Sequence, residues 1–226
     1  MRAILLSLIL VSSFAFGQGF TANELKHLPM LDAELSLSWP DVHRKSVFAA
    51  QIRQETCPSL GSKKCWSPTA ELKTSREYGF GLGQLTVTSR FNNFNEAKKL
   101  DRSLKDWEWD NRYDATYQLR TMVLMDKFNY GKISWAADKD ERVAMAFASY
   151  NGGLGGLLSD RAVCQITPGC DPSKWFGNIE HTSRKAKVKA GGYGKSFFEI
   201  NREYVRHIMF LYPSRYAPFF GEHHDY

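Results

Sequence analysis

A chain of 226 residues with 43% hydrophobic and 14% aromatic side chains carries enough apolar surface for a core, which excludes bulk disorder. Its formal charge of +6, with both signs mixed along the chain, excludes a single-sign tail and favours polyanionic partners. Cell-wall polymers, anionic membranes and nucleic acid all qualify, and charge alone does not separate them.

Arg2 precedes an apolar run over 3–16, broken only by Ser7, Ser12 and Ser13. Ala15-Phe16-Gly17 then puts small residues where a signal peptidase reads. Residues 1–17 are expected to be a secretory signal peptide, cleaved after Gly17, so the mature chain is periplasmic or extracellular. As a membrane anchor the run falls short of the ~20 residues a span needs. No other segment is long and apolar enough, so no stable membrane insertion is expected.

An amphipathic stretch over 23–37 follows, within an N-terminal extension of 18–39. The main domain is expected over 40–213. Ser38-Trp39-Pro40-Asp41 reads as a helix start, with Ser38 as cap and Pro40 in the first turn. That helix runs to Thr56, where Cys57-Pro58 stops it. Residues 61–86, with Pro68, Gly79, Gly81 and Gly83, look loop-like. A second helix is expected over 112–130, capped by Asp110 or Asn111 and ended by Gly131. Its apolar residues fall on most faces, which places it centrally. A third covers 140–150 and stops at Asn151-Gly152-Gly153; a fourth covers 195–212 and is ended by Pro213, leaving 214–226 as a tail. Strand-like alternation is scarce. The fold class is therefore mainly α, with long loops.

The four cysteines form two close pairs, Cys57 with Cys65 and Cys164 with Cys170. Three connectivities are open, and local pairing is the simplest. Each short loop would then stabilise by roughly 2–3 kcal/mol. Zinc is disfavoured, because neither pair has Cys-x-x-Cys spacing and no histidine pair lies nearby.

Glu55 is the candidate for chemistry. Phe48, Ile52 and Glu55 are spaced by four and three, so they share the buried face of one helix. Glu55 ends that apolar stripe at the helix terminus, where a cleft can open. Desolvation raises a carboxyl's pKa, and a neutral carboxylic acid near pH 7 is what a general acid must be. The plainer alternative is a glutamate that reaches past the core edge to water. Val143, Phe147 and Tyr150 share a face on the third helix, and Phe197, Ile200, Tyr204, Ile208 and Leu211 share one on the fourth. A buried tyrosine hydroxyl needs a partner, and a buried carboxyl is an obvious one. Taken singly, each tyrosine reads better as an ordinary core aromatic.

The segment Tyr78-Gly79-Phe80-Gly81-Leu82-Gly83-Gln84 lets backbone approach a ligand closely. It is no dinucleotide fingerprint, since Gln84 stands where the third glycine would fall; Gly194-Lys195-Ser196 is no phosphate loop, since Lys189 occupies the first glycine position. Arg184, Lys185, Lys187, Lys189 and Lys195, interleaved with Gly191, Gly192 and Gly194, read as a solvated surface loop and not as a nucleic-acid contact. His223-His224 is too short a cluster for a metal site.

Taken together, Glu55-Thr56, Gly81-Leu82-Gly83-Gln84, Ser149-Tyr150-Asn151-Gly152-Gly153 and Tyr204-Val205 resemble, in order, the motifs of the soluble lytic transglycosylase family. That family shares the lysozyme-like fold with goose-type lysozyme. The likeness spans 40–213. Thr56 stands where the family has serine, Gly83 where it has methionine, and Ser149 and Gly152 where it has alanines. These departures touch the substrate subsites and not the acid.

The resemblance implies a lyase without cofactor or metal. Glu55 would protonate the oxygen between N-acetylmuramic acid and N-acetylglucosamine in peptidoglycan, then take the muramoyl C6 hydroxyl proton as a 1,6-anhydro ring closes. Tyr204 would position Glu55. Thr56, Gly81, Leu82, Gln84, Tyr150 and Asn151 would bind the glycan of a monomeric enzyme. A goose-type hydrolase is the alternative, with an Asp or Glu near Tyr78 orienting water. A non-catalytic wall-binding or virion protein is the third reading, although a binding module has no use for a half-buried acid.

Overall fold

The computed structural model describes residues 19–184 and 194–222. The expected signal segment, Lys185, Lys187, Lys189, Gly191 and Gly192 of the basic run, and His223-His224 lie outside them. The described chain is mainly helical, with one small antiparallel sheet.

Helix α1 (Ala22–Ser38) starts at a capping box: Thr21 accepts from Glu24 N and Glu24 accepts from Thr21 N. Leu28, Leu31 and Leu35 recur at three and four residues and are fully buried. They pack towards α4 (Ala115–Lys132), where Arg120 grips Glu34 through two bonds of 2.9 and 2.8 Å. At the far end, α8 (Pro213–Tyr216) returns to α1: Arg215 Nε and Tyr216 Oη each donate to Glu24 at 2.9 Å. Leu28, Leu31, Leu35 and Trp39 of the expected N-terminal extension and Tyr216 of the expected C-terminal tail are members of the main core cluster, with Phe219 and Phe220 packed against it.

The expected helix start at Ser38 is corrected. Ser38 is the last residue of α1, and the Trp39 amide closes that helix on Leu35 O at 2.8 Å. Pro40 belongs to the break, because a proline just past a helix end is as natural as one at its start. Helix α2 (Ser46–Thr56) begins later and gets no side-chain cap from Lys45. Its first amides are met by Glu222, whose carboxylate accepts from Lys45 N and from Ser46 N. A residue from the far end of the chain thus supplies the N-terminal anion that the helix favours.

The expected loop over 61–86 contains a sheet instead. Strands β1 (Glu71–Lys73), β2 (Tyr78–Phe80) and β3 (Leu85–Val87) pair in that order, with Gly79 between Leu72 and Thr86. Strands this short are too brief to show alternation. Beneath them Phe80, Leu85, Phe94 and Trp107 form a second apolar cluster, with Met125 of α4 against it; Phe94 belongs to α3 (Asn93–Ala97).

Helix α4 is capped by Asp114, not by Asp110 or Asn111, which sit in a preceding 3₁₀ turn. Helix α5 (Lys139–Gly152) is capped by Asp138 and ends at Gly153 with φ +79°. The structure adds α6 (Leu154–Gln165), which the glycines of its first turn conceal in the sequence. Helix α7 (Phe197–Arg206) opens on a Ser196–Glu199 capping box and passes into a π-turn over His207–Leu211. The wider turn rotates the stripe expected on this helix. Met209 is fully buried, Leu211 is 58% exposed, and Phe197 is 50% exposed at the other end. Disulfides join Cys57 to Cys65, beside the end of α2, and Cys164 to Cys170, at the end of α6. No described helix is long and apolar enough to cross a membrane.

Candidate active site

A cleft of about 680 Å³ opens where α2 ends, between the sheet on one side and α5 and α7 on the other. Glu55, Glu71, Gln84, Tyr150, Asn151 and Tyr204 all reach its lining.

Glu55 is the penultimate residue of α2. Phe48 and Ile52, on its face, are fully buried, while Glu55 keeps a partly exposed edge in the cleft. Its carboxyl is nonetheless desolvated enough to push its pKa up to about 8, although a hydrogen bond from Tyr204 pulls it back in part. Tyr204 Oη donates to Glu55 Oε1 at 2.5 Å and accepts from Gln51 Nε2 at 3.3 Å. The tyrosine is buried, so this bond is not shared with bulk water. Burial raises the Tyr204 hydroxyl well above its usual range, which keeps it a donor.

Tyr150, from the end of α5, donates to Gly83 O at 2.6 Å. A Cβ at residue 83 would lie 2.6 Å from that hydroxyl, so glycine is what lets the loop meet Tyr150. The absence of a side chain at 83 is a packing requirement here. Asn151 is exposed, and its Oδ1 accepts from Asn201 Nδ2 at 3.0 Å.

The other expected binding residues are drawn into the scaffold. Thr56 is buried; its hydroxyl donates to Ile52 O at 2.6 Å and accepts from Trp66 N at 2.9 Å. Both hydroxyl roles are thus spent on securing the end of α2. Leu82 is fully buried in the core. Gly81 holds φ +80° and is pressed against Gln118, whose amide accepts from Leu82 N and donates to Pro68 O and Arg112 O. Gln84 lines the cleft with φ +43°, but its Nε2 is committed to Ala70 O and Gly81 O. Gly81, Leu82 and Gln84 thus shape the loop from within. Ser149 returns its hydroxyl to Met145 O at 2.9 Å within α5.

Two acids escape the sequence reading. Glu71, on β1, accepts from the hydroxyls of Tyr113 and Tyr78, and these bonds hold its pKa below the usual carboxylate range. The sequence points only to some Asp or Glu near Tyr78, and with 61–86 read as a loop nothing singles out Glu71. Asp126, in α4, is fully buried and its pKa lies well above the usual range, chiefly through desolvation. Gln118, Met122 and Asp126 recur every four residues, so a polar residue on the inward face was the available signal. Among the described residues no three His, Cys, Asp or Glu side chains gather as a metal site would require.

In comparison with known proteins, the chain matches no family model and no curated protein.

Proposed function

We propose that this protein cleaves the glycan strands of peptidoglycan as a lytic transglycosylase, with Glu55 as its single general acid and base. The observation that carries this reading is a carboxyl with pKa near 8, bonded to a buried tyrosine, at the floor of an open cleft. At neutral pH Glu55 holds a proton to give. It passes this proton to the glycosidic oxygen as the bond to muramoyl C1 breaks. The resulting carboxylate takes the C6 hydroxyl proton while that oxygen bonds to C1. An attacker within the same sugar needs no second carboxylate and gains from proximity. The helical frame around a small sheet and cleft supports a lysozyme-like fold, and two disulfides fit an exported protein.

One observation favours a second reading, the goose-type hydrolase. Glu71 lines the same cleft with its pKa shifted opposite to that of Glu55, as in an acid paired with a base. Mass spectrometry of digested, purified peptidoglycan separates the readings. Anhydromuramoyl ends, lighter by one water and resistant to borohydride, are expected. Reducible muramic ends as the main product would give the reaction to Glu71 and water, and no fragments would leave a wall-binding protein.

Tyr204→Phe is expected to lower turnover at least tenfold and to cost only ~1 kcal/mol of stability, because the ring still fills its place and one hydrogen bond is lost. Steady-state rates beside thermal melts check this. An active but destabilised variant would make Tyr204 a core aromatic and nothing more.

A further inference from the structure

We propose that Asp126 and Gln51 are positioning residues that aim the Tyr204 hydroxyl at Glu55, with Asp126 as a neutral acid donating its proton to Gln51 Oε1. This rests on Glu55 being the working acid of the cleft.

Asp126 is 0% exposed, and neither of its carboxyl oxygens has a hydrogen-bond partner among the described residues. Such a group is costly unless it is satisfied. Among the described residues, the groups that interact electrostatically with it are Gln51 and Glu55 from α2, Tyr150 from α5 and Tyr204 from α7, none of them a cation. Two carboxyls this close, one of them fully buried, each disfavour the other's charge. Gln51 is equally buried, and its Oε1 also lacks a partner. Its amide flanks Asp126 and offsets only part of the desolvation there. One proton on Asp126, donated in a hydrogen bond to Gln51 Oε1, pairs two of these three orphaned oxygens.

That proton also sets a direction. With Oε1 occupied, Gln51 presents Nε2 to Tyr204, as the 3.3 Å bond records. The tyrosine oxygen then accepts, and its own hydrogen is left for Glu55 Oε1 at 2.5 Å. An ionised Asp126 would only accept. It would turn the amide, present Oε1 to Tyr204 and draw the tyrosine hydrogen away from Glu55. No proton changes owner in this arrangement; the one on Asp126 is held and fixes the orientation of the others.

The test uses Asp126→Asn and Asp126→Val in the full chain, with carboxyl ¹³C NMR following the Glu55 titration and kinetics run on peptidoglycan. Asparagine can still donate to Gln51 Oε1, so the Glu55 midpoint should stay and turnover should hold within about twofold. Valine cannot donate, so Glu55 should lose the bond that lowers its midpoint. The midpoint should then rise by about half a unit or more, and kcat should fall roughly tenfold at unchanged KM. Should valine prevent folding, Asp126→Ala is read the same way. A Glu55 midpoint that falls in both variants would mean that Asp126 is charged, and would overturn the proposal. An unmoved midpoint with valine would overturn it too. A wild type that cleaves no wall would overturn the proposed function instead, while the NMR titration would still decide the role of Asp126.

Discussion

Glu55→Gln is expected to abolish peptidoglycan cleavage and, at neutral pH, to make the fold more stable. The amide keeps the shape and can still accept from Tyr204, but it cannot give and recover a proton. General acid–base catalysis is worth ~10²–10⁴-fold, and in the proposed mechanism one group serves both steps. The stability effect follows from linkage. The Glu55 pKa moves from its ordinary 4.5 to about 8 in the fold, so the folded state holds this proton more tightly than the unfolded chain does. Its contribution is full below about pH 4.5 and is lost as pH rises through about 8. An amide does not titrate. The variant and the wild type should therefore melt alike near pH 4, with the variant ahead by about 1–3 kcal/mol near pH 8, a value kept low because Glu55 retains an exposed edge. Wild-type turnover should decline over the same alkaline limb as the acid form disappears. Calorimetry at both pH values and wall digestion check the pair. Persistent activity in a folded variant would remove Glu55 from the mechanism, and a stability gap independent of pH would remove its desolvation.

Gly81→Ala is the second large effect, through the fold and not the chemistry. A Cβ at residue 81 would lie 2.5–2.7 Å from the side-chain amide of Gln118, and the backbone there holds φ +80°. Gln118 cannot step aside cheaply. It is 2% exposed, and its three bonds tie the glycine loop and the chain at Pro68 and Arg112 to α4. Left-handed backbone costs about 1 kcal/mol or more for alanine, and displacing a buried amide adds ~1–3 kcal/mol. A loss of about 3 kcal/mol is expected in denaturant melts. Activity should fall as well, because Gln84 and the carbonyl that anchors Tyr150 follow directly in the chain. Gly61→Ala, where nothing lies within 4 Å of the added carbon, is the control and should be near neutral. Equal stability of the two variants would show that the Gln118 contact gives way freely.

What the sequence determined by itself was local. Helical spacing put Glu55 behind Phe48 and Ile52, and Tyr204 four residues before Ile208, because neighbours on a helix face are set by 3.6 residues per turn. Cysteines a few residues apart could meet without help from the rest of the chain, and they do. The mainly helical class followed from the same periodicity. Tertiary structure decided what local rules leave balanced. Ser38 and Pro40 suit a helix start or a helix end; in the fold they end α1, and Glu222, far along the chain, meets the first amides of α2 instead. Three-residue strands have no pattern to read, and they form where Phe80 and Leu85 pack with Phe94 and Trp107. Gln51 and Asp126 look like ordinary polar residues within their helices. Packing of α2 against α4, α5 and α7 removes them from water beside Glu55, and a carboxyl or amide acquires its cost, its partner and its proton affinity only from that enclosure.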